Sequence, residues 1–282
     1  MNKKVGNTIS SRILSAIGVL FLVFMALFAA IPLLQVLFNS FKTDRECKTS
    51  PLGLPKEWVF NNYGETWEIG GYATAYFNSL LTAFVVIVVV LTIVGLGAYA
   101  LTKLQFKLRG FFTAYFFVAI SLPGFLYIVP DYFVMNKIGL VDTRWSLMIV
   151  YTAMQIPFNM LLLRTFFTGI PRELEEAAKI DGCNEINSFL RITLPIAKPM
   201  FLTVAILVFV NVWNEFLWSN TFITKDELKL VATRYVRFTG EHGMNMSRIY
   251  TASVITIAPV IILYLFFSRR FIEGMTSGSV KG

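Results

Sequence analysis

Long stretches of the 282-residue chain are apolar and free of charge, and polar or turn-forming segments separate them. Residues 13–41, 78–101, 111–130, 145–163 and 249–268 contain no Asp, Glu, Lys or Arg, and 200–224 contains one acid, Glu215. A tilted helix needs about 17–25 residues to cross a hydrocarbon core of about 30 Å. Backbone in lipid finds no water to bond, so such runs must close their hydrogen bonds within a helix. One run of this kind fits the interior of a large soluble protein; six do not. The pattern predicts an all-α integral membrane protein, one membrane domain over 1–282, with about six transmembrane helices. The spans are expected at about 13–39, 78–101, 111–130, 145–166, 200–222 and 249–268, with a polar loop at 169–199. Pro32, Pro123, Pro130, Pro157 and Pro259 fall inside spans and are expected to kink them.

Composition agrees. Charged residues make up 15% of the chain, against about 25% in a soluble domain. The first run follows Lys3, Lys4 and Arg12 but is about twice the length of a secretory signal core, so a retained helix is expected. Six spans put both termini on one side. The short loop 102–110 carries Lys103, Lys107 and Arg109 and no acid, which assigns that side to the cytoplasm. Lys3, Lys4 and Arg12 at one end, and Arg269, Arg270 and Lys281 at the other, agree with it. The net charge of +8 then reflects basic residues beside anionic lipid. Without a basic soluble domain, nucleic acid is not an expected partner.

Cys47 and Cys183 lack metal-ligand spacing, and the single His242 sits in no zinc-hydrolase motif. No phosphate-binding GxxxxGK[ST] loop is present. Catalytic residues, a metal and a cofactor on this chain are therefore not expected. Glu215, the one acid within a span, should face protein or a watery path. With Asn211, Trp213, Asn214 and Trp218 it offers a polar solute both hydrogen-bond partners and stacking faces. Bonding to a neighbouring helix or chain explains Glu215 equally well.

The loop at 169–199 reads as helix–turn–helix. Pro171 suits a first helical position, and Glu173, Glu175 and Glu176 favour the positive end of a helix dipole. Ala177 and Ala178 continue the helix, and Gly182 is placed to end it in a left-handed cap. A second short helix is expected over 184–193, stopped by Pro195. Physics alone leaves two readings, a docking element or an amphipathic loop lying on the membrane.

Glu176-Ala177-Ala178, then Gly182, Ile192 and Leu194-Pro195 at fixed spacing, resembles the EAA signature of permeases in binding-protein-dependent ABC importers. Asp181 before the glycine is similar to the carbohydrate branch, as is the segment Asn211-Val-Trp-Asn-Glu-Phe-Leu-Trp218. The ending 271–282, and outer loops without a long insertion, resemble the maltose-type second permease subunit (MalG-like). The resemblance implies a type I ABC importer permease fold. It also implies four kinds of partner: a second homologous permease, two cytoplasmic ATPase subunits, an extracytoplasmic solute-binding protein and membrane lipid. ATP and Mg²⁺ would sit on the ATPase subunits and none on this chain. The helix around Glu176–Asp181 would be the coupling helix, seated in an ATPase cleft. ATPase closure would swing the spans from inward-open to outward-open in the membrane of a bacterial or archaeal cell. A permease for a polyamine, phosphate or amino acid shares the signature; a proton-coupled transporter would leave the signature unexplained and calls for more buried ionisable groups.

Overall fold

The computed structural model describes residues 9–240 and 244–277. Among these residues every regular element is helical: α1 (Ile9–Asn39), α2 (Asp44–Thr49), α3 (Asn61–Gly70), α4 (Tyr72–Lys103), α5 (Arg109–Ser121), α6 (Ile128–Lys137), α7 (Arg144–Thr168), α8 (Glu173–Ile180), α9 (Glu185–Ser188), α10 (Leu194–Asn214), α11 (Leu217–Phe222) and α12 (Met246–Ser277). Short 3₁₀ turns and one π turn connect some of them. Five helices are long and apolar enough to cross a membrane, or six if the bent pair α5–α6 counts as one span. His242 and residues 278–282 of the expected tail lie outside the described residues.

Two compact units divide the chain: 9–70 with 235–257, and 71–234 with 258–277. In the first, α1 is apolar on every side and no residue of its most apolar window is buried. Beyond it the chain turns on polar contacts. The buried Lys42 ammonium donates to the carbonyl of Ser50 at 2.9 Å, and Asn62 donates to the carbonyls of Ser40 and Lys42 at 2.9 Å each. Thr43 caps α2 by accepting from the Glu46 N–H. Cys47 is free and buried, donates to the Asn39 carbonyl at 3.3 Å, and burial pushes its thiol up to about 11.

The second unit is built on α4, α7 and α10. Val86, Val90, Val94 and Ala98 make one buried stripe of α4 at every fourth residue. Ala197, Met200, Val204, Val208 and Val212 make the stripe of α10, and Leu147, Tyr151, Leu163 and Phe167 come from α7. Repeats of three and four residues keep such positions on one helix face. Helix association inside a membrane rests on close packing rather than on escape from water, so small residues at crossings matter. A Cβ added at Gly95 would lie 2.8 Å from the Phe201 ring, which packs against Phe167. At Gly97 it would meet only the free end of Met160, at 2.5 Å. Gly95→Ala is therefore expected to destabilise by about 1–3 kcal/mol, because a packed ring must move. Gly97→Ala should cost clearly less, since the thioether end can swing away. Thermal unfolding of the purified assembly checks the order, and equal losses would contradict it.

The span expected at 111–130, with kinks at Pro123 and Pro130, is a bent pair of helices. α5 has 13 residues, about 20 Å at 1.5 Å per residue, too short to cross alone. After Ser121 the chain breaks and bends by 94° into the segment Gly124–Lys137. The cause is Pro123, which has no N–H to donate and forces Leu122 into an extended conformation (φ −92°, ψ 128°). Pro130 falls in the first turn of α6, where proline is tolerated. Pro32, Pro157 and Pro259 lie inside uninterrupted helices, so Pro123 alone of the five breaks one. The expected span at 200–222 is likewise two pieces, α10 and α11, parted at Glu215 and Phe216.

Candidate functional site

The polar loop after α7 is a short, firmly terminated helix followed by a turn into α10. Pro171 precedes the cap residue Arg172 rather than opening the helix, and the N–H groups of Glu175 and Glu176 bond the Arg172 carbonyl. At the far end Gly182 has φ +82°. Its N–H bonds the Lys179 carbonyl at 3.1 Å, and the Cys183 N–H bonds that of Ala178 at 2.9 Å. These two bonds form a Schellman termination, which needs the left-handed residue that glycine supplies. Asn184 then caps α9 by accepting from the Asn187 N–H at 2.8 Å.

The residues of the signature divide between two faces. Glu176, Ala177, Asp181 and Gly182 are exposed, and so is Pro195; Ile192 and Leu194 are half-buried, and Ala178 is buried. Pro195 does not stop the second helix, as the sequence reading expected. Phe189–Thr193 forms a π turn in which the Leu194 N–H reaches the Phe189 carbonyl, and α10 runs on from there. The wider turn makes room for the proline ring, which would collide with a carbonyl four residues earlier in an ordinary helix.

Beneath this exposed face lies a set of bonds the sequence reading missed. Lys103, on the last turn of α4, forms an ion pair with Glu175 at 3.2 Å, the two side chains 2% and 9% exposed. The same ammonium donates to the Ile170 carbonyl at 2.8 Å, and Thr193 donates to Glu175 at 3.4 Å. One turn earlier on α4, the Tyr99 hydroxyl donates to Glu185 at 3.3 Å. Glu185 also pairs with Lys179 at 2.7 Å, and that hydrogen-bonded carboxylate holds the Lys179 ammonium above its ordinary value. Lys103, Arg172, Glu175, Glu176, Lys179 and Glu185 line a polar hollow of about 510 Å³. Lys103 could have been found only as one more basic residue at a span end; its partner lies 72 positions away.

The fifth-span residues gather at the break between α10 and α11. Glu215 accepts from the Tyr151 hydroxyl at 2.7 Å and from the N–H groups of Trp218 and Ser219 at 3.0 and 3.1 Å. It thus satisfies the free donors that begin α11. Trp213 and Trp218 are 2% and 3% exposed; Trp213 stacks on Phe209 and Trp218 packs against Phe222. Asn211 and Asn214 are exposed. Asn211 donates to Gln155 at 3.1 Å and borders an apolar hollow of about 260 Å³ between α10 and α12.

The family model for the inner membrane component of binding-protein-dependent transport systems matches residues 93–276, which include the loop, the break and the end of α4. The arabinooligosaccharide transport permease AraQ of Halalkalibacterium halodurans is 32% identical, over 97% of this chain and 99% of its own length. The diacetylchitobiose uptake permease NgcG of Streptomyces coelicolor is 30% identical, over 96% of this chain and 91% of its own. The crystal structure of a bacterial ABC transporter that imports alginate contains a chain of like fold. Its TM-score is 0.80 at 24% identity, and the match covers 94% of this chain and 99% of that one. Its type I permease fold is the one described above, and the relatives are transport components rather than enzymes. The chain is a multi-pass membrane protein and belongs to the inner membrane components of binding-protein-dependent transport systems.

Proposed function

We propose that this chain is the permease subunit of an ATP-driven importer that carries a di- or oligosaccharide into the cell by alternating access. One observation carries the reading. The signature Glu176–Pro195 folds as a capped element that leaves Glu176, Ala177 and Asp181 exposed while its underside is tied to the spans. The relatives named above for arabinooligosaccharide and diacetylchitobiose uptake support a carbohydrate as cargo.

In this reading two cytoplasmic ATPase subunits, which hold ATP and Mg²⁺, receive the exposed face of α8. A second, homologous permease completes the pathway, and a solute-binding protein delivers the sugar outside. Both termini lie in the cytoplasm. The unburied apolar surface of α1 supports contact with lipid and with that second permease. A helix of eight residues with both ends bonded moves as a body, so ATPase closure would displace the π turn and α10 together. The exposed amides of Asn211 and Asn214 are the groups available to sugar hydroxyls. Trp213, Trp218 and Glu215 shape that stretch from inside the chain.

Uptake of labelled oligosaccharides by cells with and without this chain tests the reading. Loss of accumulation for one sugar class, restored by the wild-type chain, is expected. Unchanged sugar uptake with loss of a polyamine, phosphate or amino acid instead would overturn the choice of cargo.

A further inference from the structure

We infer that the last two turns of α4 form a two-point clamp on the loop that the proposed function assigns to ATPase docking, with Lys103 and Tyr99 as positioning residues for coupling. Tyr99 and Lys103 are four residues apart, hence on one face of α4. Tyr99 bonds Glu185 at the start of α9, and Lys103 bonds both Glu175 on α8 and the carbonyl of Ile170 ahead of it. Together they reach both short helices and the strand of chain leading into them. The arrangement is built rather than incidental. The Lys103 and Glu175 side chains are 2% and 9% exposed, and opposite charges so far out of water must be paired to be kept. Glu175 is also the buried neighbour of the exposed Glu176, so adjacent acids on one helix serve different faces.

The consequence concerns transmission. The loop is covalently continuous with α7 at one end and, through the π turn, with α10 at the other. The clamp adds a third route, into α4, whose buried stripe lies in the same core as α7 and α10. A displacement of α8 would then reach three core helices at once. Breaking the clamp leaves the loop joined to α7 and α10 alone, and α4 loses its direct link to it.

The test uses the whole transporter, co-purified with its partners and placed in proteoliposomes, and reads sugar moved per ATP hydrolysed. Glu175→Gln and Lys103→Met are expected to lower that ratio by about tenfold, within the usual range of coupling between sites. The swap Lys103→Glu with Glu175→Lys is expected to recover part of it, which a loss of bulk stability would not do. Tyr99→Phe removes one hydroxyl, keeps the ring packed on Phe189, and should lower the ratio less. It keeps the inference testable where the charge variants fail to assemble. Wild-type ratios in Tyr99→Phe and in every charge variant that assembles would overturn the clamp. Absence of any ATP-dependent sugar uptake by the wild-type transporter would instead overturn the importer reading on which the clamp rests.

Discussion

Gly182→Val is expected to leave near-normal amounts of protein in the membrane while abolishing the response of ATP hydrolysis to loaded binding protein. Gly182 holds φ +82°, and a Cβ there would meet nothing within 4 Å. The penalty is therefore one of backbone alone, about 1–2 kcal/mol for an L-residue in the left-handed region and more for a β-branched one. That strain acts on the two bonds, from Gly182 and Cys183, that end α8. The helix end would fray, and the exposed Ala177 would no longer sit on a fixed surface. The spans lie elsewhere and should still insert. Gly182→Asn is the control, because asparagine enters the left-handed region with little strain. ATPase activity in proteoliposomes, with and without binding protein and sugar, should be unresponsive in the valine variant and near wild type in the asparagine variant. Full stimulation and full uptake in Gly182→Val would mean that docking does not depend on this turn.

Glu215→Ala is expected to cost the assembly at least about 2 kcal/mol of stability, since three donors lose their acceptor. Glu215→Gln keeps one carbonyl oxygen and should lose less. The order follows from the break between α10 and α11: two N–H groups and the Tyr151 hydroxyl converge on one carboxylate, just past the end of a span. Uptake should fall with stability, through fewer working transporters, and the KM for sugar should change little. Melting of the co-purified assembly together with uptake kinetics separates the alternatives. An unchanged melting temperature with a raised KM would return Glu215 to direct contact with the cargo.

Much of this architecture was legible in the apolar runs, because hydropathy and length decide whether a segment can cross a bilayer. What the runs hid were interruptions within them. Residues 111–130 are uncharged from end to end; Pro123 was legible there as a kink, but five prolines read alike, and only the structure shows that this one parts the helix with a bend of 94°. Pro195 misled in the other direction. It reads as a helix stop, but a π turn just before it lets the helix pass. The left-handed Gly182 was legible because a glycine directly after a helical run suits a left-handed cap. Glu215 was visible as an anomaly, though its partner Tyr151 lies 64 positions away on another helix. The Lys103–Glu175 pair was not legible for the same reason, since a basic residue at a span end already has an orientation to explain it.

Labelling of a single cysteine at position 177 tests the central claim, that the exposed face of α8 is where the ATPases bind. Cys47 and Cys183 would first be replaced, leaving Ala177→Cys as the one thiol, with Ala178→Cys as the buried comparison. In inside-out vesicles lacking the ATPase subunits, a membrane-impermeant maleimide should label position 177 quickly and position 178 slowly. Adding the ATPase subunits should protect position 177, and a bifunctional reagent should join it to them. Equal labelling of position 177 with and without the ATPase subunits, or labelling only from the outer side of the membrane, would contradict the account.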